Sequence, residues 1–145
     1  MKRNTLTALA LLVVILMMGA CGNNAWDELP TSISRFVTWY FPEGEIESYS
    51  TSSQGSTVQI RNGATLKFNN EYEWTEINGN GVPLPDMFLS NQLPEPLYTY
   101  IEEMEQQRDV MLLKRTPQVI TVEFRDSEID YDRSTQTISY PSARK

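Results

Sequence analysis

Acidic side chains are the only groups this chain offers in patterns that could do chemistry. Asp126, Glu128, Asp130 and Asp132 alternate along one short stretch, and alternating acids are how a calcium loop turns oxygens toward a hard cation. An EF-hand is excluded, because the sixth position of that loop is Tyr131 instead of glycine and the twelfth is Thr137 instead of glutamate. A looser calcium site stays open to these residues, beside the plainer expectation that they line the wet face of a strand with Arg125 or Arg61 nearby to offset their repulsion. Glu71, Glu73 and Glu76 beside Trp74 could supply the two carboxylates of a glycosidase, but neighbours on one strand seldom face each other across a bond. No histidine is present, which removes the commonest general base, the usual zinc ligand and every triad that needs imidazole. Glycine-rich phosphate loops are absent too. The expectation is a protein without catalytic residues, metal or cofactor.

Cys21 is the single cysteine, so no intramolecular disulfide can form. Its surroundings explain it better than thiol chemistry does. Lys2 and Arg3 precede an apolar run from Ala8 to Met18 of about 11 residues, too short to cross a bilayer that needs about 20. Residues 1–20 therefore read as an export signal. The box Met18-Gly19-Ala20-Cys21 resembles the bacterial lipoprotein signal, with Met18 where leucine is usual, and implies acylation of Cys21; ordinary secretory cleavage is the alternative. Two or more acyl chains would make the attachment stable. Gly22, where aspartate would retain a lipoprotein at the inner membrane, favours an outer-membrane anchor with the domain in the periplasm or at the cell surface. Residues 21–28 then form a tether and residues 141–145 a tail.

The formal net charge is −7, and losing Lys2 and Arg3 leaves ten bases against nineteen acids, or −9. Such a surface repels nucleic acid and anionic lipid, so no nucleic-acid partner is expected. About 125 residues remain after cleavage, enough for one domain with a real core.

Sliding the chain against itself by 64 residues aligns two halves, 29–77 and 93–140, around a turn-rich linker at 78–92. Leu29-Pro30 falls on Leu93-Pro94. Ile33, Phe36, Val37 and Tyr40 fall on Leu97, Tyr100, Ile101 and Met104, each set with the spacing of one helix face. Phe41-Pro42-Glu43-Gly44 stops the first helix, and the second should end near Gln106 and Gln107. Ile46 falls on Val110, and Val58 to Gly63 on Val122 to Ser127, both with period-two alternation. With one residue dropped, Leu66-Lys67-Phe68 falls on Ile129-Asp130-Tyr131, so each half holds a hairpin; Asn62-Gly63 suits the first turn. Further strands are expected at Glu71 to Ile77, with Tyr72 and Trp74 on one face, and at Thr137 to Tyr140. Pro85 to Asn91 adds one short helical turn.

A helix followed by an antiparallel meander, twice over, resembles the PepSY-like, beta-lactamase-inhibitor-protein-like family of envelope lipoproteins. Leu29-Pro30, Ile33, Phe36, Tyr40-Phe41-Pro42, Ile46, Val58, Ile60, Asn62-Gly63, Leu66, Phe68 and Trp74 carry the resemblance. The second copy departs from it, with Glu105 and Gln106 in place of Phe-Pro, Ser127 in place of glycine and no turn glycine across Arg133 to Gln136. The resemblance implies an α+β fold in which two tandem helix-plus-antiparallel-meander repeats form one curved antiparallel sheet, with helices packed on one face and the other open. Relatives of this shape bind or inhibit proteins through the open face.

Period two places Thr57, Gln59, Arg61, Thr65, Lys67, Thr121, Glu123, Arg125 and Asp130 on that face. The set is polar and mixed in charge, which suits an envelope protein or peptide partner better than an apolar ligand. The alternative is an accessory subunit of an outer-membrane complex, working through its helix side. Trp39 lies off the helix face, aligned with Glu103, and is expected to cover the Phe41-Pro42 loop, the alternative being an exposed contact residue.

Overall fold

Residues 25–141 are described in the computed structural model, so the signal sequence and Cys21 lie outside the described residues. A single turn, α1 (Ala25–Glu28), precedes α2 (Thr31–Tyr40). Pro30 caps α2 with extended backbone, where its missing N–H costs nothing. Four strands follow: β1 (Ile46–Ser52), β2 (Gly55–Ile60), β3 (Thr65–Phe68) and β4 (Trp74–Asn78). Helices α3 (Asp86–Gln92) and α4 (Glu95–Glu103) and a 3-10 turn at Gln107–Asp109 lead to β5 (Val110–Arg115), β6 (Val119–Phe124), β7 (Glu128–Asp132) and β8 (Thr137–Ser139).

All eight strands pair antiparallel in chain order to make one open sheet. The two halves keep matching registers. Ile46 faces Ile60 and Val110 faces Phe124; Tyr49 faces Val58 and Leu113 faces Val122. Each half also carries a bulge in its first strand, at Glu47 and at Met111, where one residue has no opposite number. A third bulge falls at Thr75. Bulges bend a strand and add twist, and so curl a wide sheet. The halves join where β4 meets β5, Ile77 opposite Leu113.

One inward row, Val58, Leu66, Ile77, Leu113, Val122 and Ile129, is entirely buried. Each such side chain contributes about 1.5–3 kcal/mol over leaving it in water. The helices cover this row with Ile33, Val37 and Tyr40 from α2 and Leu97 and Ile101 from α4, so sheet and helices share one core. Phe88 of α3 lies at its centre, edge-on or tilted to Phe36, Tyr40, Phe41 and Trp74 with ring centroids 5.4–6.4 Å away. The segment between the repeats thus fills the core as well as connecting them. Gly79 lets the chain leave β4, because a Cβ there would sit 1.9 Å from the carbonyl oxygen of Val82.

Four local expectations are corrected. Residues 25–28 are not tether: they form α1, and Ala25 and Trp26 pack against the core. The second helix ends at Glu103, not near Gln106: Glu105 takes a left-handed φ of 55°, its N–H bonds the Glu102 carbonyl, and Gln106 N–H bonds the Ile101 carbonyl. That is a Schellman closure with glutamate in the position glycine usually fills, and it leaves Met104 exposed instead of in the core. Tyr72 does not share a strand face with Trp74; it lies in the β3–β4 turn with φ 63° and is exposed, while Trp74 is buried. Trp39 covers no loop, being 63% exposed on the outside of α2.

Candidate functional site

The face of the sheet opposite the helices carries two polar rows. One runs through all eight strands: Ser50, Thr57, Lys67, Glu76, Lys114, Thr121, Asp130 and Ser139, each opposite the next. The other, broken only by the apolar Leu112, runs Ser48, Gln59, Thr65, Asn78, Leu112, Glu123 and Glu128. None of these residues is buried, as period two requires of the side away from the core.

Cross-strand pairing holds the rows in place. Lys67 Nζ lies 2.9 Å from Glu76, and Lys114 Nζ lies 2.8 Å from Glu123. The bond to Glu123 pushes the Lys114 ammonium pKa up. Thr65 donates to Gln59 Oε1 at 2.6 Å and accepts from Asn80 Nδ2 at 2.8 Å; Thr121 donates to Asp130 at 2.6 Å. The middle of the face is therefore charge-balanced. Its β7 side is acidic, with Glu128, Asp130 and Asp132 at alternate positions.

Seven of the nine sequence-chosen residues, Thr57, Gln59, Thr65, Lys67, Thr121, Glu123 and Asp130, come together in these rows. Arg61 and Arg125 do not; each lies one residue past the end of its strand, at the rim, held by Glu45 at 2.8 Å and by Asp109 at 3.4 Å. Neither arginine serves to offset the 126–132 acids. Among the described residues no three acids converge on a point that could hold a cation. Asp132 is instead tied into its own turn, accepting from the Ser134 hydroxyl and the Ser134 and Thr135 N–H groups, which pulls its carboxyl down from 3.8 to about 2.

Glu76, Asn78, Leu112 and Lys114 belong to the face but were not picked out from sequence. Their alternation was visible; the pairing of β4 with β5, which brings the repeats side by side, was not. A cavity was also missed. A cavity of about 470 Å³ opens at the end of the sheet between Tyr40–Gly44, the Ile60–Ala64 turn and Val82–Pro85. Its walls are mostly apolar, and Glu43 and Arg61 are its only charged lining residues. The clustering of proline and glycine in those three turns was the available signal. Arg115, on the core side, stacks 4.3 Å above the Trp74 ring, and burial lowers its pKa.

No protein-family model matches this chain. No curated protein matches it by sequence. Solved structures do share its fold. A protein of the DUF2874 family from Bacteroides vulgatus, proposed to be periplasmic, superposes with a TM-score of 0.67 at 18% identity, covering 79% of this chain and 90% of that one. A second Bacteroides vulgatus protein, of unknown function and also proposed to be periplasmic, gives 0.62 at 18% identity over 78% and 93%. A third, from Bacteroides thetaiotaomicron and proposed to be periplasmic and calcium-regulated, gives 0.64 at 15% identity over 79% and 92%. These likenesses establish the α+β architecture.

Proposed function

We propose that this chain is a lipid-anchored, non-enzymatic binding module of the bacterial envelope, akin to the PepSY-like, beta-lactamase-inhibitor-protein-like lipoproteins, whose open sheet face contacts a protein or peptide. One observation carries the reading: a polar row crosses eight strands without interruption, and no described element packs on it. Side chains on such a face are held by their neighbours before a partner arrives, which lowers the ordering cost of association. The signal at Met18 to Cys21 supports the anchor, and the proposed periplasmic setting of the three structural neighbours supports the envelope location. The acids along β7 suit a partner that brings basic side chains.

Photo-crosslinking in cells tests this. A crosslinker at Thr57 or Thr121 should capture one and the same protein, and a crosslinker at Glu102 on α4 should not. Glu128→Lys combined with Asp130→Lys should abolish that adduct by placing positive charge where a basic partner docks. An adduct formed from Glu102 alone would reject the open face and favour an accessory subunit docked by its helices.

A further inference from the structure

The two repeat helices share one layer and the same inward positions, yet their outward faces differ in kind. Arg35 and Trp39 of α2 stand where α4 has Thr99 and Glu103. α2 carries one base and no acid, whereas α4 carries Glu95, Glu102 and Glu103 and no base. Trp39 is the most exposed tryptophan among the described residues, on a chain whose net charge is −7. Of the two repeat helices, only α2 can approach a lipid surface without bringing carboxylates against the headgroups.

The reach of the chain points to the same helix. Three residues, Gly22 to Asn24, separate the acylation site Cys21 from Ala25, and the four backbone steps between them can span at most about 14 Å. Ala25 opens α1, which packs against β1 and sends Ala25 and Trp26 toward the core; only Leu29 and Pro30 separate it from α2. The chain therefore enters through the helix layer, on the side away from the open face.

We propose that the outward face of α2, with Trp39 and Arg35, lies at headgroup level on the bilayer that holds the anchor, turning the open sheet face away from the membrane toward its partner. An indole is amphipathic and settles at the membrane–water interface, and a guanidinium pairs with lipid phosphate. The acyl chains supply the attachment; Trp39 and Arg35 supply its orientation. The inference rests on the acylation of Cys21.

The test uses the full acylated chain in vesicles of phosphatidylethanolamine with phosphatidylglycerol as the minor lipid. Acylation consumes the single native thiol, so Thr38→Cys on α2, Thr99→Cys on α4 and Lys67→Cys on the open face can each be labelled with a bulky water-soluble maleimide. Thr38→Cys should react about fivefold more slowly on vesicles than in the same chain unanchored by Cys21→Ser, with its one remaining thiol at position 38, while the other two sites react alike in both forms. Arg35→Thr with Trp39→Glu should restore the rate at Thr38→Cys, since both positions are exposed and the fold does not depend on them. Equal rates at Thr38→Cys in the anchored and unanchored forms, or protection that survives the double substitution, would overturn the orientation. A wild-type chain that stays in the aqueous phase with Cys21 reactive would overturn the anchor and the orientation with it, and Cys21's own labelling separates that failure from the other.

Discussion

Arg61 reaches back to Glu45 across the mouth of the first hairpin at 2.8 Å, and the second repeat makes the equivalent contact between Arg125 and Asp109 at 3.4 Å. Both residues of each pair are shifted by the same 64 positions between repeats. The acid changes from glutamate to aspartate and the contact persists, so what the repeats share here is charge and register. All four side chains are largely exposed, and exposed pairs contribute little. Arg61→Ala and Arg125→Ala should each lower the unfolding free energy by less than about 1 kcal/mol in urea titrations. Four strand spacings, roughly 19 Å, separate the two sites, so the double variant should show the sum of the single effects.

Phe88 should behave in the opposite way. It is fully buried, and α2, the α2–β1 loop and β4 all place aromatic rings against it. Phe88→Ala should cost about 3–5 kcal/mol, read by thermal or urea unfolding. Trp39→Ala, on the outside of α2, should shift unfolding by less than about 0.5 kcal/mol.

Gln92 joins three elements through one side chain. Its Oε1 accepts from the Trp74 indole at 3.0 Å and its Nε2 donates to the Tyr40 hydroxyl at 2.8 Å, tying α3 to β4 and to α2. Gln92→Leu fills the space but leaves the buried indole N–H without an acceptor, at a cost of about 1–3 kcal/mol. Gln92→Glu keeps an acceptor for Trp74 and should lose less, a comparison that separates hydrogen bonding from packing.

Asp132 gives the domain a small acid sensitivity. Its carboxyl is held at about 2, against an ordinary value of 3.8, by the Ser134 hydroxyl and the N–H groups of the β7–β8 turn. A folded pKa below the unfolded one means the charged form is preferred by the native state. The associated stability is fully present above about pH 3.8 and is lost as pH falls toward 2. The stability difference between wild type and Asp132→Asn should therefore shrink over that window and be flat above it, as measured by urea midpoints across pH.

Much of the fold was legible because its signals are local. The helix-face spacing of Ile33, Phe36, Val37 and Tyr40, the alternation through Val58 to Phe68 and the proline before each repeat helix depend only on neighbours along the chain. Seven of the nine face residues followed from that alternation alone. Two of the misses originate in turns. Tyr72 and Glu105 take left-handed φ values without being glycine, because tertiary pairing around each turn outweighs the small local penalty.

The amino-acid sequence by itself determined which residues face inward within each element, the repetition of the unit and the charge of the surface, since each follows from period, spacing or count. Tertiary structure alone decided that Lys114 lies opposite Glu76 and that Phe88 is the centre of the core. Those outcomes depend on how β4 meets β5 across an intervening pair of helices, and side-chain period carries no information about which distant strand supplies the partner.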